Sequence, residues 1–149
     1  MFCEFEQNYF IMNRGDSFEF PIVINSGTDL CFEKYNLTNS DKIYVGIMEP
    51  HQSFENALIR KVITCESETD GKGNPLLILT PEDTENVLTG KYFIMIKLAY
   101  KDCDINKVKT ILPMKEFFIE GTNKHVSDRK FVTHIIDVDG DDAPEWEPI

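Results

Sequence analysis

The chain has no long hydrophobic run: none of its apolar stretches approaches the ~18 residues that a membrane-spanning helix needs. Its 149 residues nevertheless include 42% hydrophobic and 28% charged side chains, which is ordinary for a globular protein. A chain of this length buries roughly two-thirds of the surface that it exposes when unfolded. We therefore expect a folded protein with a single core and no membrane partner.

Basic residues are scarce: 15 Lys and Arg stand against 26 Asp and Glu, which gives a net charge of −11. Nucleic-acid binding relies on basic side chains that neutralise phosphates, so this charge argues against a nucleic-acid partner. The simplest interpretation of the acidic surface is that it keeps the protein in solution. The alternative is that it attracts a basic protein partner.

Metal-binding patterns are absent as well. The sequence has no CxxC pair and no histidine at metal-ligand spacing, so we expect no bound metal. The amino-terminal segment MFCEFEQNYF contains no basic residue, so we expect no export signal and a reducing compartment. All cysteines are then expected to be free thiols. They are Cys3, Cys31, Cys65 and Cys103.

Catalytic motifs are also missing. The histidines lie in separate segments, and the chain contains no GxSxG nucleophile motif, no HExxH and no glycine-rich phosphate loop. Carboxylates are abundant, but they do not form an acid–base pair without a cleft that shifts their pKa. The sequence therefore predicts a non-enzymatic protein with no catalytic residues and no cofactor.

What the sequence does contain is a series of short apolar segments separated by turn residues. In most of them apolar side chains alternate with polar ones, which is the period of a half-buried strand. No helical pattern of roughly 10–15 residues separates them, so parallel crossovers are not expected. We predict an all-β, antiparallel β-sandwich, with a closed barrel as the alternative. The predicted strands are residues 5–12, 17–24, 42–49, 58–65, 76–79, 91–98 and 107–120.

The stretch from residue 75 to residue 98 organises the rest of the chain. Thr80 and Asp83 form a predicted capping box around one turn of helix, and Gly90 ends this turn before an alternating apolar row. In immunoglobulin-like sandwiches, a tyrosine before a core strand donates its hydroxyl to upstream backbone and locks the crossover between sheets. Tyr92 is our candidate for this corner, and a plain core aromatic is the equally supported alternative.

Apolar side chains also occupy the second face of two predicted strands. Phe93 and Met95 lie opposite the row that begins at Tyr92, and Phe117 repeats the two-sided pattern near the end of the last strand. A sandwich strand normally exposes one face to water. We therefore expect the outer face to be covered by the chain's own tail or by another chain.

Residues 122–149 differ in composition from the domain predicted at 1–121 and form a carboxyl-terminal extension. The first part, with Phe131 and Ile135, fits a strand or a short helix docked on the sandwich. The last part is acidic and holds the only tryptophan, Trp146. Because aromatic residues carry much of the energy of interfaces, Trp146 is a candidate anchor in a partner's groove, with packing on its own domain as the equal alternative. The candidate partner-binding residues are Phe93, Met95, Phe117, Phe131, Ile135 and Trp146.

Several sequence segments resemble a known family. They are RGDSF at 14–18, LTPEDT at 79–84, LTGKY at 88–92, and TIL at 110–112 with FIEG at 118–121. In order and spacing they are similar to the small β-sandwich domain at the amino end of the upper baseplate proteins of bacteriophages that infect Gram-positive hosts. The resemblance spans roughly residues 11–121 and implies an immunoglobulin-like fold for this region.

The resemblance implies a virion structural protein, made in the bacterial host cytoplasm, that assembles with other virion proteins and forms a homo-oligomer. The upper baseplate proteins continue into a long helical or fibre-holding region, whereas this chain stops at Ile149. A compact adaptor in the tail or baseplate region therefore fits better than a fibre holder. Capsid decoration or association with a head fibre is the alternative within this class.

A host-surface carbohydrate-binding module is the alternative from another class. β-Sandwiches bind sugars on aromatic platforms. The aromatic residues in or beside predicted loops are Tyr35, Phe54 and Tyr100, and they are the candidate glycan contacts of this alternative.

Overall fold

The computed structural model describes residues 9–27, 32–121, 131–134 and 146. These residues form nine strands, one single-turn α-helix and one 3₁₀ turn at Phe54–Asn56. Every predicted strand has a counterpart, and none of the helices in these ranges is long and apolar enough to cross a membrane. In chain order the elements are β1 (Tyr9–Asn13), β2 (Phe18–Gly27), β3 (Phe32–Lys34), β4 (Lys42–Met48), β5 (Ile59–Ile63), β6 (Leu76–Leu79), α1 (Pro81–Thr84), β7 (Gly90–Asp102), β8 (Ile105–Glu120) and β9 (Phe131–His134).

The strands are arranged in two sheets. The larger sheet has the strand order β1-β8-β7-β4-β5, is mixed, and curls into a half-barrel. The smaller sheet contains β2, β3, β6 and β9, and β2 pairs with each of the other three. A mostly β architecture with two sheets is therefore confirmed.

The prediction of a wholly antiparallel sandwich is wrong. β1 runs parallel to β8, with Tyr9 opposite Glu116, and β9 runs parallel to β2, with Phe131 opposite Ile22. The turn after Asn13 carries the chain from the larger sheet to the smaller one instead of closing a hairpin. β1 therefore pairs with a strand that is distant in sequence. Alternation of apolar residues identifies a strand but does not specify which sheet it joins.

The main core lies between the two sheets. The apolar row predicted for β7 faces it, and both sheets contribute buried side chains. We use the name main core for the following set: Phe10, Met12, Phe20, Ile22, Ile24, Ile43, Val45, Ile47, Ile59, Ile63, Leu77, Leu79, Val87, Tyr92, Ile94, Ile96, Leu98, Ile111, Leu112, Phe117 and Ile119.

The side chains of strand β8 do not alternate regularly between the main core and the outer face. Its register against β7 shifts on both sides of Ile96, and Pro113 lies in this bulged stretch, where a proline is tolerated. Leu112 and Phe117 therefore both point inward, although an unbroken strand would place them on opposite faces. The prediction that Phe117 lies on an outer, partner-binding face is wrong, because Phe117 is opposite Tyr92 and fully buried.

The extension contributes a strand to the smaller sheet. β9 pairs with β2 from Ile22 to Asn25, so the alternative of a short helix does not hold for this segment. Phe131 is the first residue of β9, and Ile135 lies outside the described residues. The partner-binding role of Phe131 and Ile135 stays a prediction.

Two of the four cysteines lie in the described ranges. Cys65 is half-buried and Cys103 is exposed, and both are free thiols as predicted. Cys3 and Cys31 lie outside the described residues.

Candidate interaction surface

Tyr92 forms the tyrosine corner that the sequence predicts. Its hydroxyl donates a hydrogen bond of 2.5 Å to the carbonyl oxygen of Leu88, four residues upstream. This bond lies at the end of the connection that takes the chain from β6 in the smaller sheet to β7 in the larger one. Burial, followed by the nearby charge of Glu49, raises the pKa of Tyr92, so its hydroxyl remains a proton donor.

The single turn of α1 is fixed by Asp83. Its carboxylate accepts hydrogen bonds from the backbone N–H of Thr80 at 2.7 Å and from the Thr80 hydroxyl at 3.1 Å. The bond from the Thr80 N–H to the Asp83 side chain is the N3-to-N-cap bond of the predicted capping box. Lys61 Nζ on β5 lies 2.9 Å from the same carboxylate. A cap that is local in sequence therefore also ties the crossover to an edge strand of the larger sheet.

The Arg14-Gly15 turn docks on this crossover. The Gly15 N–H donates to Thr84 Oγ1 at 2.8 Å, and Arg14 Nη1 donates to the Val87 carbonyl oxygen at 3.4 Å. The Arg14 N–H also donates to the Glu120 carbonyl oxygen at 2.7 Å. Gly15 has a φ of +86°, a conformation that favours glycine. We name this network of Arg14, Gly15, Thr84, Val87 and Glu120 the corner junction.

A second set of apolar side chains packs on the outer face of the larger sheet. Gly46 makes room for it, because a Cβ at this position would lie 2.8 Å from the Phe54 ring and 3.2 Å from the Ala57 Cβ. The 3₁₀ turn after β4 therefore folds back and lays Phe54 on the sheet. We name this set the outer cluster: Tyr44, Met48, Phe54, Ala57 and Val62.

Strand β7 extends the outer cluster. Phe93 and Met95 are half-buried and pack against it. Phe93 is opposite Met48 on β4, and Met95 is opposite Gly46. The two residues thus lie on the outer face, as predicted, and that face is covered by other parts of the chain.

Trp146 of the tail lies on the outer cluster. Its ring stacks on Phe54 with centroids 4.8 Å apart and meets Tyr44 edge-on with centroids 6.0 Å apart. The Arg60 guanidinium lies 5.9 Å from the centre of the Trp146 ring, within cation–π range. The indole Nε1 donates to the Glu55 carbonyl oxygen at 3.4 Å. Trp146 therefore packs on its own domain here, and we name Tyr44, Phe54 and Arg60 the Trp seat.

Two cations border the Trp seat in a chain that is acidic as a whole. Lys97 Nζ lies 4.9 Å from the centre of the Phe54 ring. Arg60 Nε donates to the Ala57 carbonyl oxygen at 3.0 Å, which holds the guanidinium beside the seat. Trp146 is flanked in sequence by two glutamates. The seat therefore fits an aromatic side chain carried by an acidic peptide.

The aromatic residues of the carbohydrate alternative do not form one platform. Tyr35 and Tyr100 are half-buried against the main core, whereas Phe54 belongs to the outer cluster. The Tyr35 hydroxyl donates to Asp41 Oδ2 at 2.7 Å, and the Thr38 N–H donates to the same oxygen at 2.9 Å. Burial and then the contact with Asp41 raise the pKa of Tyr35 above its ordinary range. Tyr35 thus anchors the loop before β4.

Sequence reasoning missed Gly46, Tyr44 and Arg60 as parts of this surface. Gly46 carried a usable signal, because a glycine inside an apolar strand often marks the close approach of another segment. Arg60 carried none, since an exposed arginine on a strand has the pattern of any solvated surface residue.

Within the described ranges, no group of three or more His, Cys, Asp or Glu side chains lies close enough together to hold a metal ion. Comparison with protein-family models, with curated proteins and with solved structures finds no match to this chain. A functional assignment therefore has to come from the geometry of the corner junction and of the outer cluster.

Proposed function

We propose that this chain is a non-enzymatic structural protein of a bacteriophage virion, an adaptor or anchoring module in the tail or baseplate region. The observation that carries the proposal is the corner junction. Segments RGDSF, LTPEDT and FIEG lie far apart in the sequence and are joined by direct hydrogen bonds, from Gly15 to Thr84 and from Arg14 to Glu120. Short motifs that meet in space and supply each other's bonding partners support a resemblance more strongly than separate motifs do.

The fourth segment of the resemblance, LTGKY, supplies the tyrosine corner beside this junction. A tyrosine corner at a crossover between sheets is a hallmark of immunoglobulin-like sandwiches. We therefore propose that residues 1–121 form a domain of that type. In this proposal the RGDSF and LTPEDT segments are structural, because Arg14, Gly15, Asp83 and Thr84 make hydrogen bonds within the domain.

The surface proposed for contact with other virion proteins is the outer cluster together with Phe93, Met95 and Trp146. Aromatic residues, methionine and arginine are enriched at protein interfaces, and all three types are present on this face. Trp146 packs on this face and stays partly exposed. A neighbouring protein can therefore bury the exposed part of Trp146 without disturbing the main core.

The test is to locate the chain in purified virus particles by electron cryo-microscopy. We expect several copies at the tail or baseplate, each in contact with a neighbouring virion protein through the outer face. Copies on the head would replace the tail assignment by capsid decoration. Absence of the chain from particles would overturn the proposal.

A second experiment separates the role of the tail from that of the domain. A phage that encodes the chain without residues 137–149 should fail to incorporate it, whereas the matched full-length variant Leu88→Ala should be incorporated normally, because Leu88 is 79% exposed. Normal incorporation of the truncated chain would show that the tail is not needed for assembly.

A further inference from the structure

We infer that the Trp seat of one copy binds the tail of a second copy, so that Trp146 is exchanged between neighbouring copies of the chain. On the surface of the domain, Trp146 stacks on Phe54, meets Tyr44 edge-on and lies within cation–π range of Arg60. None of these groups belongs to the main core. The same contacts form with the tail of another copy, and exchange of an identical segment is a low-cost route to association.

The Trp seat is built without the tail. Phe54 is accommodated over Gly46, which has no side chain to displace the ring. The turn that carries Phe54 is tied to β4, because the Leu58 N–H donates to the Ile47 carbonyl oxygen at 2.9 Å. None of these contacts involves Trp146. Departure of the tail therefore leaves a preformed aromatic and cationic site, which lowers the cost of binding another tail.

The chain between β9 and Trp146 is long enough for exchange. β9 ends at His134 in the smaller sheet, whereas Trp146 lies on the outer face of the larger sheet, and residues 135–145 connect them. Fully extended, such a segment reaches roughly 40 Å, against about 10 Å between the mid-planes of two packed sheets. A tail with this reach can also extend to the seat of a copy docked beside the first.

Charge complementarity favours the acidic tail as the segment that binds the Trp seat. Residues 137–149 contain Asp and Glu but no Lys or Arg. The seat is bordered by Arg60 and Lys97, in a chain whose net charge is −11. Opposite charges favour encounter of a tail with this face and disfavour encounter with acidic surface elsewhere. Because the groups are near solvent, added salt should weaken the attraction.

The inference rests on the proposed function in one respect: a virion structural protein places many copies side by side. Its test uses the purified chain alone. Absence of the chain from virus particles would therefore overturn the proposed function, whereas failure of the following experiment would overturn the exchange and leave the virion role standing.

The test mixes two full-length variants. Phe54→Ala keeps the tail tryptophan but lacks the ring on which it stacks, and Trp146→Ala keeps the seat but lacks the tryptophan. Because the chain has a single Trp, the tryptophan emission of the mixture comes only from the first variant. We expect the emission of Phe54→Ala to shift to shorter wavelength as Trp146→Ala is added. Half of the shift should be reached at a Trp146→Ala concentration of ~1 mM or less, which is the effective concentration of a binding site joined by a short flexible linker.

The control replaces the second variant by the double variant Phe54→Ala/Trp146→Ala, which offers no seat and should cause no shift. An unchanged emission up to ~1 mM, or an equal shift with the double variant, would overturn the inference. If Phe54→Ala has a non-native far-UV circular dichroism spectrum, Arg60→Glu takes its place as the tail donor, and Arg60→Glu/Trp146→Ala becomes the control. Arg60 is exposed, and reversal of its charge repels the acidic tail. Sedimentation should show dimers in the productive mixture and monomers in the control.

Discussion

The main core and the outer cluster lie on opposite faces of the larger sheet, and β4 contributes to both. Ile43, Val45 and Ile47 face the main core, whereas Tyr44 and Met48 belong to the outer cluster. The main core joins two sheets, so the fold depends on it. The outer cluster joins one sheet to a turn and to the tail. The tail can therefore leave the outer cluster while the two sheets stay packed against each other.

The two sets also differ in chemistry. The main core consists of aliphatic and aromatic side chains that are shielded from water. The outer cluster is also buried, but cations lie over the rings at its edge, Lys97 over Phe54 and Arg60 over Trp146, and the residues that pack against it are half-buried. Aromatic residues mixed with Met and Arg are typical of interfaces. β4 therefore supports the fold on one face and, in the proposed function, contributes to recognition on the other.

The largest expected effect comes from truncating two phenylalanines, one in the main core and one beside the outer cluster. Phe117→Ala removes a fully buried ring from the main core and should lower the free energy of unfolding by about 3–5 kcal/mol. The matched variant Phe93→Ala removes a half-buried ring beside the outer cluster and should cost about 1–2 kcal/mol. Urea denaturation followed by far-UV circular dichroism measures both. Equal losses in the free energy of unfolding would contradict the distinction between the main core and the outer face.

Much of this division could be predicted from the sequence, because alternation is a local property. Residues 76–79 were predicted as a strand with the observed bounds, and the row from Tyr92 to Leu98 was assigned to the core side of β7. The corner was also accessible, since Tyr92 lies at a fixed short spacing from the helical turn and from Gly90. Each of these features depends on neighbours within about ten residues.

Other features depend on residues that are distant in sequence, and these were missed. The bulge in β8 reversed the alternation, so Phe117 was assigned to the wrong face. The parallel partners of β1 and β9 depend on which sheet each strand joins. The Trp seat and the tail residue that occupies it bring together Tyr44, Phe54 and Trp146 from separate segments. No local pattern specifies such a meeting.

The next effect tests whether Gly46 builds the outer cluster. Gly46→Ala places a Cβ 2.8 Å from the Phe54 ring, and the resulting overpacking should cost about 1–3 kcal/mol. It should also move the tryptophan emission to longer wavelength, because displaced Phe54 no longer supports Trp146. Gly121→Ala is the matched control, since its Cβ would meet only a methyl group of Thr89, at 3.2 Å. An unshifted emission in Gly46→Ala would contradict the role assigned to this glycine.

A smaller effect concerns the polar bond at the edge of the main core. Tyr92→Phe removes the hydrogen bond to the Leu88 carbonyl oxygen and should lower the free energy of unfolding by about 0.5–1.5 kcal/mol near neutral pH.

Folding raises the pKa of Tyr92 and of Tyr35, so the folded state retains protons that the unfolded chain releases. Stability should be fully present below about pH 10, the ordinary tyrosine pKa, and decline as pH rises further. Urea midpoints across this range should fall less steeply in Tyr92→Phe, and an unchanged slope would rule out its contribution.

The smallest effect is expected at a residue that belongs to neither set. Leu88 is 79% exposed, and its carbonyl oxygen, not its side chain, receives the Tyr92 hydroxyl. Leu88→Ala keeps this carbonyl and should change the free energy of unfolding by no more than about 0.5 kcal/mol. Its urea midpoint should therefore match that of the unmodified chain, while Tyr92→Phe departs from both. A loss at Leu88 as large as that at Tyr92 would mean that the leucine side chain itself is needed at the corner, which its exposure in the isolated chain does not explain.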